Sequence, residues 1–196
     1  MIFPLILIYT PRMSYIILDR DGVINFDSLE YIKSPDEWVP IPRSLEAVAT
    51  LNKAGFRVLV ATNQSGVARG LYDLETLDAI HEKMMRELAA VGGYVEEIFF
   101  CPHHPDEQCG CRKPQPGMLH AIQQKYGMSL NDTFYIGDSQ ADVGVANAAG
   151  CKLLLVMTGN GRVTLERNPH LSTVPQFEDL AEAVQYVLAT SRRSRG

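Results

Sequence analysis

The sequence predicts an α/β fold: a doubly wound parallel sheet with helices on both faces. One observation behind this is that short apolar runs alternate with longer segments whose apolar residues recur at helical spacing. Alternation of that kind is what a parallel sheet with crossover helices requires. A second is that three of the apolar runs end abruptly in polar, glycine-containing signatures. The third is bulk. The chain has 196 residues, 46% of them hydrophobic and 21% charged, which suits one domain with a sizeable core. The expected organisation is an N-terminal extension over 1–13, one domain over 14–190 and a solvated tail over 191–196.

Each element has its own signal. Tyr15–Leu18 is a short apolar run, read as a buried strand. Residues 44–54 carry Leu45, Val48, Ala49 and Leu51 at helical spacing, and Gly55 stops them. Arg57–Ala61 is the next strand. Residues 74–91 place Leu74, Leu77, Ile80, Met84 and Leu88 on one helix face, closed by Gly92-Gly93. Glu97–Phe100 is a third strand. Residues 117–126 form a helix entered through Pro116 and closed by Gly127. Thr133–Ile136, a helix over 140–149 and the strand Lys152–Val156 follow. A final helix over about 177–190 begins with Glu178 and Asp179 and is followed by Arg192 and Arg193, which suits its dipole. Segment 101–116 is polar, rich in Cys, His and Pro, and expected to lack regular structure.

Composition excludes several classes of partner. Against 23 Asp+Glu there are 18 Lys+Arg, a net charge of −5, which argues against nucleic acid or an anionic membrane as partner. The apolar stretch 1–9 is too short to span a bilayer and has no basic region ahead of it. A start at Met13 would make it an extension. Four cysteines are too few for a disulfide scaffold. The expectation is a cytoplasmic monomer acting on a small molecule.

In doubly wound sheets ligands bind beyond the carboxyl ends of the strands. Here those ends read Asp19-Arg20-Asp21-Gly22-Val23, Thr62-Asn63-Gln64-Ser65-Gly66 and Gly137-Asp138-Ser139-Gln140-Ala141-Asp142. Any one of them is explained by turn formation. Together they concentrate carboxylates at one edge, where they repel unless a hard cation such as Mg²⁺ neutralises them and meets a substrate phosphate. Asp19 and Asp21 lie two apart, so in extended backbone both side chains point the same way. One can act as nucleophile and the other can exchange protons with the leaving group, while the carbonyl of Asp21 turns back to the metal. Lys113, next to Arg112 and ahead of a rigid Pro114-Gln115-Pro116-Gly117 entry, is the candidate to neutralise phosphoryl oxygens. There is no Walker A loop and no GxGxxG, so nucleotide-dependent chemistry lacks support.

Cys101, Cys109, Cys111 and a histidine, His103 or His104, offer four soft ligands within eleven residues, enough for a closed tetrahedral Zn²⁺ site. Such a site is structural and would brace the loop carrying Arg112 and Lys113. Cys151, at the start of an apolar strand, is ordinary core.

These motifs, in this order across residues 15–156, resemble the haloacid dehalogenase (HAD)-type phosphatases. Ser34-Pro35-Asp36-Glu37-Trp38, Thr62–Gly70 and Cys111-Arg112-Lys113-Pro114 resemble, more narrowly, the D-glycero-D-manno-heptose 1,7-bisphosphate 7-phosphatase branch. The resemblance implies a Rossmann-like HAD fold with minimal cap and a zinc-binding loop, catalytic Mg²⁺, structural Zn²⁺ and a phosphoaspartyl intermediate. It implies Asp19 as nucleophile, Asp21 as general acid/base, and Asp19, Asp21 and Asp138 as the Mg²⁺ ligands. Thr62 and Lys113 would hold the phosphoryl group. Asp27, Tyr31, Asn63, Gln64, Ser65 and Arg112 would bind substrate, and His103 rather than His104 would complete the zinc set. The implied reaction is removal of the C7 phosphate in nucleotide-activated heptose biosynthesis. A histidinol-phosphate phosphatase shares the aspartates and the zinc loop and is the alternative. A zinc-braced binding protein without catalysis is disfavoured, since Asp19, Asp21, Thr62, Lys113 and Asp138 are all present. One departure is Ser139, where some relatives have lysine.

Overall fold

The computed structural model describes residues 14–193, so the expected extension over 1–13 and residues 194–196 lie outside it. Six strands form one parallel sheet: β1 (Ser14–Leu18), β2 (Phe56–Asn63), β3 (Glu97–Cys101), β4 (Phe134–Gly137), β5 (Lys152–Val156) and β6 (Gln176–Phe177). Their order is β3-β2-β1-β4-β5-β6, so the winding reverses between β1 and β4. A crevice opens at such a reversal.

Because the central strands are buried on both faces, they are largely apolar and alternate residues enter different cores. Ile16 and Leu18, Val58 and Val60, Ile136, Leu154 and Val156 face one side. There they meet α1 (Ser44–Lys53), α2 (Leu74–Ala90) and α6 (Leu180–Arg193) through residues such as Leu51, Met84 and Val187. Ile17, Leu59, Tyr135, Leu153 and Leu155 face the other. They pack on α3 (Gly117–Tyr126) and α4 (Gln140–Ala149) through Leu119, Ile122, Val145 and Ala146. The long connection from β1 to α1 contains one 3₁₀ turn, Pro35–Glu37, and no separate domain. Trp38 anchors it, fully buried, while Lys83 of α2 donates to the main-chain oxygens of Pro35 and Trp38 at 2.9 and 2.8 Å.

Three local features differ from the sequence expectation. The final helix begins at Leu180, not 177: Gln176 and Phe177 form the edge strand, and Asp179 caps the helix by accepting from the Glu182 N–H at 3.0 Å. The acidic pair therefore marks the cap, not the first turn, and the helix runs on to Arg193, into the segment expected to be a tail. A short helix, α5 (Gly161–Arg167), and a 3₁₀ turn, Pro169–Thr173, fill a stretch with no legible apolar stripe. Within 101–116 the one regular piece besides the end of β3 is the 3₁₀ turn Pro105–Glu107. No helix among the described residues is long and apolar enough to cross a membrane.

Candidate active site

Register places the chemistry. Leu18 pairs with Val60 on one side and Ile136 on the other, so the residues after β1, β2 and β4 emerge together at the winding reversal. The Asp19 N–H continues the ladder by donating to the Ile136 carbonyl at 2.9 Å. Asp19, Thr62, Lys113 and Asp138 are all buried there, lining a cavity of about 230 Å³. Asp21, Asp27, Tyr31, Asn63, Gln64, Ser65 and Arg112 line the same cavity.

Lys113 lies between two carboxylates, 2.8 Å from Asp19 Oδ1 and 2.7 Å from Asp142 Oδ1. Asp142 also accepts from the Tyr135 hydroxyl at 2.7 Å, and its Oδ2 accepts from the Ser139 N–H at 3.0 Å. Burial opposes its ionisation, but Lys113 and these donors hold it below the ordinary carboxylate range. Burial also works against the Lys113 charge, yet Asp142 and Asp19 outweigh it and keep the ammonium protonated. Ser139, at the position of the departure noted above, caps α4: its hydroxyl accepts from the Asp142 N–H at 3.3 Å.

Asp19 and Asp138 are left without enough compensation. The donors to Asp19, the Arg20 N–H and Lys113, both fall on Oδ1. Asp138 Oδ2 accepts from the Asn160 N–H at 2.6 Å. Burial, then the nearby Asp142, pushes Asp138 up to about 8 and Asp19 well above its ordinary value. Ligand oxygens of Asp19, Asp138 and Asp142 all lie within 4.8 Å of one another. The backbone makes room for that group. A Cβ on Gly22, whose φ is +79°, or on Gly159 would fall 2.3 Å from Asp138 Oδ2. A hard divalent cation fits this donor set, since it supplies the missing charge between oxygens. Asp142, saturated by Lys113, Tyr135 and Ser139, is the least available of the three.

The Asp21 carboxylate lies outside that group. It accepts from Arg20 Nη2 on both oxygens, from Asn25 Nδ2 at 2.8 Å and from Gln64 Nε2 at 2.8 Å. Burial raises its pKa, and Arg20 with these hydrogen bonds more than reverses that. With its carboxylate so engaged, any metal contact from Asp21 would have to come from its main-chain carbonyl, the contact the sequence spacing suggests. Behind it, Arg20 Nη1 is 3.2 Å from His81 Nε2, and burial with the Arg20 charge pushes this histidine down to about 3.

Two residues expected on the sugar turn inward instead. Asn63 exchanges both amide bonds with the Lys113 main chain, at 3.1 and 3.0 Å, and so clamps the lysine loop to β2. Gln64 is 3% exposed and its amide is bonded at both ends within the protein. At the mouth, Asp27 accepts from Asn160 Nδ2 at 3.0 Å, and the Arg69 guanidinium lies 5.7 Å above the Tyr31 ring. Arg112 Nη1 is buried with no hydrogen-bond partner among the described residues.

The soft-ligand cluster also forms. Cys101, His103 Nδ1, Cys109 and Cys111 meet with separations of 3.2 to 3.5 Å between bonded pairs, and no disulfide joins them. His104 turns away to cap the Pro105–Glu107 turn, its Nδ1 accepting from the Asp106 N–H at 3.3 Å. The cluster ends where Arg112 and Lys113 begin.

Comparison with known proteins places this geometry. The HAD-hydrolase-like family matches residues 110–183. A D-glycero-beta-D-manno-heptose-1,7-bisphosphate 7-phosphatase of Bordetella bronchiseptica is 51% identical over 176 residues, 90% of this chain and 98% of its own. The chain belongs to the heptose-1,7-bisphosphate 7-phosphatase family of HAD-like hydrolases. Its Pseudomonas putida relative of the same name is 53% identical over 86% of this chain and 96% of its own. The crystal structure of the B. bronchiseptica D,D-heptose 1,7-bisphosphate phosphatase, a complex with magnesium and phosphate, superposes with a TM-score of 0.87 over 91% of this chain and 99% of that one. The fold of this heptose-bisphosphate phosphatase family is thus the one read from the strand ends.

Asp142, Tyr135, Asn160, Arg20, His81 and Tyr72 were assigned no role from sequence. Asp142 has a signal, as the second carboxylate of Gly137–Asp142. Asn160 has another: Thr158-Gly159-Asn160-Gly161 is a further polar turn after an apolar strand. Arg20 sits inside the first polar strand end but with nothing there to show what it pairs with, and Tyr135, His81 and Tyr72 carry no local pattern that marks them.

Proposed function

We propose that this chain removes the C7 phosphate of D-glycero-D-manno-heptose 1,7-bisphosphate through a phosphoaspartyl intermediate, supplying nucleotide-activated heptose synthesis. The observation that carries the reading is the meeting of Asp19, Thr62, Lys113 and Asp138 at one sheet edge, in a chain 51% identical over 90% of its length to a curated 7-phosphatase. The comparisons give the histidinol-phosphate alternative no support.

An oxygen of Asp19, Oδ2 being the one without a donor, attacks phosphorus as the bond to the C7 oxygen breaks. Asp21, ionised in the free site, must take up a proton as the bisphosphate binds, and it gives that proton to the departing alkoxide. Lys113 and Thr62 donate to the phosphoryl oxygens as charge builds. Asp21, now a carboxylate, takes a proton from water attacking the same phosphorus, and the bond to Asp19 breaks to release phosphate. Mg²⁺, held by Asp19, Asp138 and the Asp21 main-chain carbonyl, would supply a hard positive charge beside the nucleophile and the phosphoryl oxygens. Arg112, with its unpartnered Nη1, binds the second phosphate or sugar oxygens, a planar fork away from the reacting centre.

Cys101, His103, Cys109 and Cys111 hold a structural Zn²⁺ in this reading. Zn–S bonds of about 2.3 Å imply sulfur separations of roughly 3.7 Å, close to those found. The free thiols suit the reducing cytoplasm. Phosphorus NMR of the product tests the function: the anomeric C1 phosphate signal persists while the C7 signal is replaced by inorganic phosphate. Loss of the anomeric signal first, or faster turnover of histidinol phosphate, would overturn it.

A further inference from the structure

Thr62 and Asp21 sit on different segments, yet one side chain touches both. Gln64 Nε2 donates to Asp21 Oδ2 at 2.8 Å and to Thr62 Oγ1 at 2.9 Å, and Gln64 Oε1 accepts from the Tyr72 hydroxyl at 2.8 Å. An ionised carboxylate only accepts, so the NH₂ must face Asp21 and the carbonyl must face Tyr72. Both amide protons are then committed, and none remains for a sugar hydroxyl. Thr62 Oγ1, already accepting from Gln64, keeps its own hydrogen free to donate to a phosphoryl oxygen. Tyr72 is itself fixed, because its ring rests on Gly66, where a Cβ would fall 2.1 Å from the ring edge.

We propose that Tyr72 and Gln64 are positioning residues: an arm that sets the Asp21 carboxyl and the Thr62 hydroxyl in fixed relation to each other, with Gln64 not contacting sugar. The inference rests on Asp21 being the proton donor. Without the arm Asp21 stays anchored by Arg20 and Asn25 but loses its aim, so the defect appears as failure to protonate the leaving group.

That defect has a signature which neither a sugar ligand nor a merely structural residue shares. The need for protonation rises from p-nitrophenyl phosphate to phenyl phosphate to n-propyl phosphate, and none of these has a sugar hydroxyl or a second phosphate. With kcat/KM reading formation of the phosphoenzyme, Tyr72→Phe should lose about three- to tenfold on n-propyl phosphate, the worth of one neutral hydrogen bond. On p-nitrophenyl phosphate, whose leaving group needs no proton, the loss should be clearly smaller. Gln64→Ala should lose on the order of 10²-fold on n-propyl phosphate and clearly less on p-nitrophenyl phosphate. Tyr72→Phe deletes one oxygen and keeps the ring on Gly66, so the fold is retained. Equal losses across the three esters, or a loss confined to the sugar bisphosphate, would overturn the proposal. Asp21→Asn run alongside separates the two layers. If its losses also fail to grow with leaving-group basicity, the proton-donor assignment falls and takes the arm with it. If they grow for Asp21→Asn but not for Tyr72→Phe, the arm alone is wrong.

Discussion

Lys113→Met removes the one ammonium between Asp19 and Asp142 and leaves a side chain of similar length. Lys113 is 3% exposed, and its Nζ lies 2.8 and 2.7 Å from the two carboxylates. Breaking a buried pair by deleting one partner costs about 3–5 kcal/mol, because the remaining charge has neither water nor a counter-ion. The sign with pH follows from Asp142. Held below its ordinary value in the native protein, it contributes stability above an unfolded pKa of about 3.9, lost as pH falls through the folded one. Without Lys113 burial dominates and the folded pKa rises above the unfolded one. The stability gap between variant and wild type should then be widest near neutrality and close on acidification. Asp142→Asn added to Lys113→Met should restore most of the stability, since it deletes the stranded charge. It should not restore turnover, which falls by roughly 10²–10³ with loss of the phosphoryl donor. Urea unfolding in magnesium-free buffer and kcat/KM check the two halves separately. A single variant within about 1 kcal/mol of wild type, or a double variant no more stable than the single, would refute the reasoning.

Other outcomes follow from the same structure. Cys109→Ala should lose zinc and most activity, whereas Cys151→Ala, outside the cluster, should keep the metal; metal analysis of chelator-free preparations decides this. Arg112→Ala should narrow the preference for the bisphosphate over its monophosphate product, with kcat/KM falling mainly for the bisphosphate, because remote binding energy is lost. At the start of the sheet Glu96 is held down by its hydrogen bond and ion pair with Arg57, so its stabilisation is present above about pH 4.3 and lost as acid protonates it. Glu96→Gln should therefore lose less stability than wild type on going from neutral pH to pH 3, read by thermal unfolding.

What the sequence made legible was whatever short-range pattern encodes. Strand and helix periodicity placed the main elements, and three polar strand ends announced Asp19, Thr62 and Asp138 before any register was known. Roles that depend on which side chain meets which were not legible. Asn63 and Gln64 read as pocket polar groups, and only the fold shows one clamped to the Lys113 main chain and the other to Asp21 and Tyr72. Tyr135 looks like any strand aromatic until Asp142 and Lys113 arrive at its hydroxyl. Arg20 sits inside the first motif, but its partner His81 lies sixty-one residues further along, on α2. Spacing alone leaves His103 and His104 open and the family resemblance picks His103; the Pro105–Glu107 turn supplies the physical reason, because His104 caps it.

In the proposed reaction Asp19 becomes covalently phosphorylated. Enzyme quenched during steady-state turnover of the bisphosphate and reduced with borohydride converts an aspartyl phosphate to homoserine, which peptide mass spectrometry locates. Homoserine is expected at position 19, dependent on substrate and lost when Lys113 or Thr62 is replaced. Reduction at any other carboxylate, or steady turnover with no reducible adduct at Asp19, would contradict that reaction.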